Sequence, residues 1–361
     1  MYKKALEILK EIENHNFKAY IVGGYVRDYY MHKDSQDIDI CTNATPKDLI
    51  NIFNDAILPK EKYGAVTLRY KNVRFEITTF RKELKYENRK PIEIEYIDDL
   101  KSDIERRDFT INSLCMDSNG NIIDLFDGKK DIDKKIIRSL KDANTKFVED
   151  PLRILRAIRF ATILNFKLDT EIIESIKSNA IYLKDISYDR KKDELNKIFT
   201  SNNVKYGIKL LSNLQLDEYL DINLNKIKYT SDILGMWAQI DIYNKYSFSK
   251  IENSIIKDVQ EIIKSKTISR YEIYKYGLYK SSIASEILGI NKKVVVKIDR
   301  NLPIHSKKEI NITVDEIISI MNKKPGDWLK KLYKDLELKI INLKLKNNND
   351  KIKEYIIKNY I

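Results

Sequence analysis

Hydrophobic and polar positions recur with mixed periods over the first 140 or so residues and with a single period thereafter. The opening "MYKKALEILKEIENHNFKAYIV" predicts an amphipathic helix that runs into a strand at "KAYIV" (18–22). "DIDIC" (37–41) predicts a second strand, and "GGYVRDYYM" (23–31) a turn leading into a helix between the two. "AVTLRY" (65–70) and "VRFEITTF" (73–80) alternate with period 2, carry β-branched and aromatic residues, and predict a hairpin about "KN". From "EDPLRILRAIRFATIL" (149–164) the period is 3.6 almost to the end. Only 10 glycines and 6 prolines punctuate the chain, so long helices are expected, and there is no internal repeat. The pattern predicts an α+β head followed by a helical extension.

Composition narrows the class. The 361 residues, 43% hydrophobic and 33% charged, suit a soluble globular protein of two to four units of about 100–150 residues each. No apolar run approaches the roughly 20 residues of a membrane helix, and acids in the first helix, with no cleavage site, argue against a signal peptide. Two cysteines, Cys41 and Cys115, make neither a disulfide framework nor a zinc site. Three scattered histidines (His15, His32, His305) argue against a histidine-ligated metal, and a cytoplasmic protein is expected. The net charge of +12 favours a polyanionic partner, nucleic acid first. A genome biased toward lysine, isoleucine and asparagine codons would give the same excess with no such partner.

"YIVGGYVRDYYMHKDSQDIDI" (20–40) concentrates the candidate chemistry. In an extended strand, residues i and i+2 share a face and stand roughly 6–7 Å apart. Asp37 and Asp39 then present two carboxylates together, with Ile38 and Ile40 toward the core. Hard oxygen ligands at that separation suit one or two Mg²⁺ ions carrying phosphates. Gly23 and Gly24 end one strand and open a helix, where backbone amides can approach an anion, and Arg27 one turn on can grip phosphate. Each piece alone is also compatible with a plain turn and a solvated loop. In "VRFEITTF", Glu76 points away from Phe75 and Ile77, so it joins the aspartates if that strand lies beside "DIDI".

Gly-Gly, twelve residues, Asp-x-Asp and a later strand carboxylate together resemble the polymerase-β-like nucleotidyltransferase superfamily. "ERRDFTINSL" (105–114), "EDPLRILRAIRF" (149–160) and "ISYDRKKDELNKIF" (186–199) follow in the order of class II tRNA nucleotidyltransferases, the CCA-adding enzymes, with bacterial poly(A) polymerases as close kin. "LPIHSKKEI" (302–310) and "KKPGDWL" (323–329) resemble the Bacillus-type CCA-adding enzymes, so the resemblance runs nearly end to end. It implies a head with a five-strand mixed β-sheet (1–140) and an all-α neck (141–205), body (206–300) and tail (301–361). It implies addition of CCA to the 3′ end of tRNA from CTP and ATP, with Mg²⁺ held by Asp37 and Asp39 and pyrophosphate released. Gly24 and Arg27 would contact the triphosphate, and Arg106, Arg107 and Asp108 the ribose and phosphates. Asp150 and Arg153 would select the base, with Arg156 and Arg159 continuing the row. The oligomeric state is left open.

Base selection by Asp150 and Arg153 also follows from chemistry. Cytosine and adenine each present an exocyclic amine beside a ring nitrogen acceptor, the complement of a carboxylate beside a guanidinium. Uracil and guanine present a carbonyl beside a ring N–H, which sets like against like, and unpaired polar groups in a buried site are costly. The competing expectation is structural. Asp150 before Pro151 is a helix N-cap with proline at the first position, and the arginines form a solvated stripe opposite Ile154, Leu155, Ile158 and Ala161.

The chain departs from the family at Tyr25 (commonly alanine), Asp189 (usually glutamate) and Thr313 (usually glycine), none of which bears on the chemistry. The His-Asp dipeptide of a phosphohydrolase domain is absent, so no phosphatase activity is expected. The alternatives to full CCA addition are A-only, CC-only or poly(A) synthesis, or an inactive tRNA-binding protein. Intact Asp37, Asp39 and Glu76 argue against inactivity. A full-length flexible loop, "KELKYENRKPIEIEYIDDLKSDIE" (82–105) with its "NRKP", argues against CC-only addition.

Overall fold

The computed structural model describes every residue except 36, 58–63, 88–89 and 241–244. Two compact units divide the chain, Met1–Ile222 and Asn223–Ile361. The first begins with α1 (Tyr2–Asn14), β1 (Ala19–Val22), α2 (Gly24–Tyr30), β2 (Asp39–Thr42) and α3 (Pro46–Ile52). Strands β3 (Ala56–Ile57), β4 (Ala65–Tyr70) and β5 (Val73–Thr79) follow, then β6 (Arg81–Glu87), β7 (Lys90–Tyr96) and α4 (Leu100–Glu105). Beyond a 3-10 turn at Thr110–Asn112 lie β8 (Cys115–Met116), β9 (Ile122–Ile123), α5 (Gly128–Lys134) and β10 (Ile136–Ile137). The unit closes with α6 (Ala143–Glu149), α7 (Leu152–Leu164), β11 (Lys167–Leu168), α8 (Thr170–Asn179), α9 (Tyr188–Phe199), α10 (Val204–Asn213) and α11 (Asp217–Leu220).

The main sheet is ordered β3-β4-β5-β2-β1-β8-β9. It is mixed, because β2 runs parallel to β5 while β1 pairs antiparallel with both β2 and β8. The sheet has seven strands where the resemblance implies five: alternation marks β1, β2, β4 and β5, whereas β3, β8 and β9 have two residues each, too few for a period-2 pattern to register. Register is set by alternation. Ile38 and Ile40 are buried whereas Asp37 and Asp39 are exposed, so a slip of one residue would put the carboxylates in the core. Beneath lies a buried cluster of Val22, Cys41, Phe80, Ile104, Cys115 and Leu140. Both cysteines are free, and burial pushes the Cys115 thiol up to about 12.

The segment 82–105, expected to be a loop, carries two strands and a helix among its described residues. β6 and β7 pair as an antiparallel hairpin and α4 follows, its N-cap Asp99 accepting from the Ser102 amide. Alternating charged and apolar residues carry this hairpin, and Asn88 and Arg89 of "NRKP" lie outside the described residues. One pair of short strands, β10 and β11, runs parallel and interrupts the otherwise helical extension. Tyr25, the departure on α2, stacks with Tyr2 and Tyr29 at centroid distances of 6.1 and 6.4 Å, so it packs α2 against α1.

The second unit has helices and no strands among its described residues. Its helices are α12 (Ile233–Ala238), α13 (Lys250–Ser265), α14 (Arg270–Leu288), α15 (Lys292–Arg300), α16 (Val314–Met321), α17 (Asp327–Ile341) and α18 (Asn349–Tyr360). Capping boxes start α13, α14 and α16; Thr313 supplies the last with Glu316, a side-chain cap that glycine lacks. Ile304, Ile317, Leu332, Leu336, Ile340 and Ile352 sit in one core, and Ile273, Val295 and Leu302 in a smaller one. No described helix is long and apolar enough to cross a membrane.

One glycine ties the sheet to the turn that carries the site. A Cβ on Gly128, at the start of α5, would stand 2.4 Å from the Thr110 carbonyl oxygen. Gly128→Ala is therefore expected to cost about 1–3 kcal/mol by overpacking. The measurement is the thermal midpoint, which should fall by several degrees with the secondary structure unchanged.

Candidate active site

Adjacent strands bring the acidic residues together. Asp39 opens β2 and lies opposite Val22, the last residue of β1, on one side and Glu76 of β5 on the other. Asp37, expected within the strand, lies two residues before its start and is exposed. Asp39 is solvent-accessible, yet the walls of the cleft partly desolvate its carboxyl and raise it above the ordinary range; the nearby Glu76 and Asp37 charges raise it further, and Arg107 opposes them. A site that crowds carboxylates and strains their ionisation is one that a hard cation relieves. No three His, Cys, Asp or Glu side chains among the described residues form a complete ligand set. The residues thus fit a divalent ion that takes the rest of its oxygens from phosphates and water.

Gly23 follows β1 with φ of 82°, a conformation that favours glycine, and its N–H donates to the Leu114 carbonyl at 3.2 Å. Arg27, one turn into α2, donates to Asn112 Oδ1 at 2.7 Å and pairs with Asp28 at 2.8 Å. Arg107 pairs with Asp103 at 3.3 Å, and its Nε is buried with no hydrogen-bond partner.

The opposite wall comes from α6 and α7. Asp150 is extended between the two helices; its Oδ1 accepts from the Leu152 amide at 3.2 Å and its Oδ2 lies 3.4 Å from Arg190. The capping expectation is therefore met in part, with Pro151 rather than Asp150 at the cap position of α7. Arg153 donates to Glu149 Oε2 (2.8 Å), the Lys146 carbonyl (3.1 Å) and the Arg106 carbonyl (3.1 Å). Arg156 pairs with Asp108 at 2.6 Å. Burial acts to raise the Asp108 carboxyl, but Arg156, with Arg153 behind it, outweighs burial and holds it below the usual range. Arg159 pairs with Glu194 at 3.0 Å. The expected solvated stripe is absent: Arg153 and Arg159 are buried because each has a carboxylate partner within the fold.

A cleft of about 440 Å³ joins the two walls. Gly24, Arg27, Asp39, Arg107, Asp108, Asp150, Arg153 and Arg156 line it, whereas Asp37, Glu76 and Arg159 are not among its lining residues. Arg159 instead stacks behind Phe160, its guanidinium 4.3 Å from the ring centroid. Arg106, expected with Arg107 and Asp108 at the ribose and phosphates, also lines it, and so do three residues given no role from sequence: Glu83, Asn112 and Phe160. Phe160 had a legible signal, an aromatic flanked by arginines one and four residues away. Arg156 and Arg27 also lie over its ring, at 5.5 and 5.6 Å.

A mixed sheet with Asp-x-Asp beside a glycine turn, facing an arginine-bearing helix across one cleft, defines a polymerase-β-like nucleotidyltransferase. Residues 19–138 match the poly A polymerase head domain, and residues 165–221 the "Probable RNA and SrmB- binding site of polymerase A". Residues 239–356 match tRNA nucleotidyltransferase domain 2. The CCA-adding enzyme of Staphylococcus haemolyticus is 32% identical over 394 aligned positions, spanning 99% of this chain and 98% of that protein. The Staphylococcus epidermidis CCA-adding enzyme is likewise 32% identical, with 99% and 98% covered. The chain belongs to the CCA-adding enzyme family. Its fold is that of the Bacillus stearothermophilus CCA-adding enzyme in complex with CTP, with a TM-score of 0.82, 24% identity, and 99% and 97% of the two chains covered. The Thermotoga maritima CCA-adding enzyme complexed with tRNA gives 0.66 at 18% identity, with 98% and 94% covered.

The Asp108–Arg156 pair carries a pH signature. A carboxyl with a lowered folded pKa contributes stability that is present above its unfolded value, near 4, and lost as pH falls through the folded value. Asp108→Asn is expected to destabilise by about 1–3 kcal/mol at pH 7, the cost of removing the charged acceptor. Denaturant unfolding at pH 7 and pH 3 checks this: the gap between wild type and variant should narrow at pH 3.

Proposed function

We infer that this protein adds CCA to the 3′ end of tRNA from CTP and ATP, without a nucleic-acid template, releasing pyrophosphate. One observation carries the reading: the glycine turn and Asp39 line the same cleft as Asp150 and Arg153. A single nucleotide can therefore offer its phosphates to the sheet and its base to α7.

Enzymes of this family work with a divalent metal; we take it to be Mg²⁺, held by Asp37 and Asp39. When bound, it neutralises charge on the phosphates. The chain's own residues do the rest. Gly24 offers backbone unobstructed by a side chain, and Arg27 and Arg107 offset the triphosphate charge. Asp108 and Arg107 meet the ribose. The tRNA 3′-hydroxyl attacks the α-phosphorus, a new P–O bond forms, the bond to the β-phosphate oxygen breaks, and pyrophosphate leaves. Glu76, paired across the sheet with Asp39, is a further carboxylate toward which the attacking hydroxyl can be polarised. Asp150 accepts from the exocyclic amine of cytosine or adenine, and Arg153 donates to the ring nitrogen. Arg156 orients Asp108, while Arg159 backs Phe160 at one remove from the nucleotide.

We assign transfer to a head of residues 1–140, base selection to a neck of 141–205, and tRNA binding to a body of 206–300 and a tail of 301–361. The buried free thiols accord with a cytoplasmic setting. Full CCA addition is favoured over A-only, CC-only or poly(A) synthesis by relatives, matched over nearly their whole length, that carry the CCA-adding name, and over CC-only addition by the long 82–105 segment.

Asp37→Ala and Asp39→Ala should each abolish transfer while tRNA binding stays within a few-fold. Normal turnover in either folded variant would remove the metal-binding assignment. Asp150→Asn separates base reading from capping. Asparagine still accepts from the Leu152 amide and caps about as well, but its amide can also donate to the uracil carbonyl. A matched pair is worth about 1–3 kcal/mol, so C-over-U preference should fall roughly ten- to hundredfold. Arg153→Lys, which keeps the charge beside Glu149, should lower CTP and ATP use together. The assay is single-nucleotide addition to shortened tRNA with all four triphosphates; unchanged selectivity in both variants moves base choice elsewhere.

A further inference from the structure

In the second unit, α15 lies within the body to which we assign tRNA binding, and it carries a basic face whose residues have no individual role above. We propose that Lys293, Lys297 and Arg300 form a contact site for the sugar–phosphate backbone of RNA, a proposal that rests on tRNA being the substrate. The three residues are spaced four and three apart, hence on one helix face, and span roughly 10 Å of the axis. All three are exposed, and none forms an ion pair among the described residues. Elsewhere in the unit, by contrast, Lys280 pairs with Asp258, Lys307 with Glu337 and Lys353 with Glu316.

The face borders an open depression of about 860 Å³, lined also by Asn291, Lys292, Val296 and Asn301 and by no acidic side chain among the described residues. Lys292 has only a distant acid, Glu286 at 3.9 Å. Asp299, the sole acid of α15, is not among the lining residues. Like charges at helical spacing repel and destabilise a helix by a few tenths of a kcal/mol, a cost that a polyanion on this face reverses. The helix is also held rigidly enough to serve: Val295 is buried with Ile273 and Leu302, and Ile298 packs against them. Charge without paired acids suits phosphate, which is bound by position and not by sequence.

Because Val295 and Leu302 share that core, substitution is a cleaner test than truncation. Lys293→Gln, Lys297→Gln and Arg300→Gln are combined, since glutamine keeps helix propensity. A control variant neutralises three exposed lysines of the first unit, Lys3, Lys10 and Lys177, for the same change in net charge. Binding of full-length tRNA is measured against salt concentration, and CTP binding without tRNA is measured alongside. The α15 variant should bind tRNA about tenfold or more weakly, with the slope of log K on log salt reduced by about 2–3. CTP binding should be unchanged, and the control should stay close to wild type. An unchanged slope in the α15 variant, or an equal loss in the control, overturns the proposal. Binding does not require turnover, so failure of the functional reading would show separately, as wild-type protein that binds tRNA but adds no nucleotide.

Discussion

The ion pair between Asp108 and Arg156 is the contact on which the cleft depends. Asp108 sits between α4 and the 3-10 turn that supports the sheet, and Arg156 projects from the second turn of α7. Their 2.6 Å contact joins the strand-built wall to the helix-built wall. Arg153 reinforces it through the Arg106 carbonyl, so two successive turns of α7 are bonded to the segment after α4. Burying such charges is costly unless every partner is present. The pairing therefore fixes α7 in one position relative to Asp39, as the proposed side-chain template requires.

The same arithmetic explains why the cleft is charged on both sides. Arg27, Arg106, Arg107, Arg153 and Arg156 line it, and Asp39, Glu83, Asp108 and Asp150 line it with them. Burial holds the Arg106 guanidinium below its ordinary range, with Asp103 opposing. Such cations have lost hydration and gain from an added anion more than a surface arginine would. Phe160 keeps the guanidinia of Arg27, Arg156 and Arg159 apart on a single ring, offering an attractive surface without neutralising them.

Much of this was legible in the residues. Period-2 alternation placed Asp37 and Asp39 opposite Ile38 and Ile40, and the orientation of Glu76 followed from Phe75 and Ile77. The helical period after residue 149 was equally plain. Less legible was anything set by long-range pairing. Strands β3 and β9 exist because they find a neighbour, not because two residues have a period. The β6–β7 hairpin is rich in charge and read as a loop. The burial of Arg153 and Arg159 depends on Glu149 and Glu194, and Glu194 is 35 residues from its partner, so local pattern suggested a solvated stripe. At Asp150 the capping role is local and was legible: one carboxylate oxygen meets the Leu152 amide, whereas the other faces Arg190, 40 residues on, a contact no local pattern shows.

On the proposed function, one cleft in one chain selects cytosine and then adenine with side chains alone. This is tested most directly by sequencing the 3′ ends made by the wild-type protein on tRNA lacking its last three nucleotides, with all four triphosphates at equal concentration. The account predicts products ending in CCA, with neither uridine nor guanosine incorporated and no extension beyond the terminal adenosine. Runs of adenosine, arrest after two cytidines, or uridine entering as readily as cytidine would contradict it.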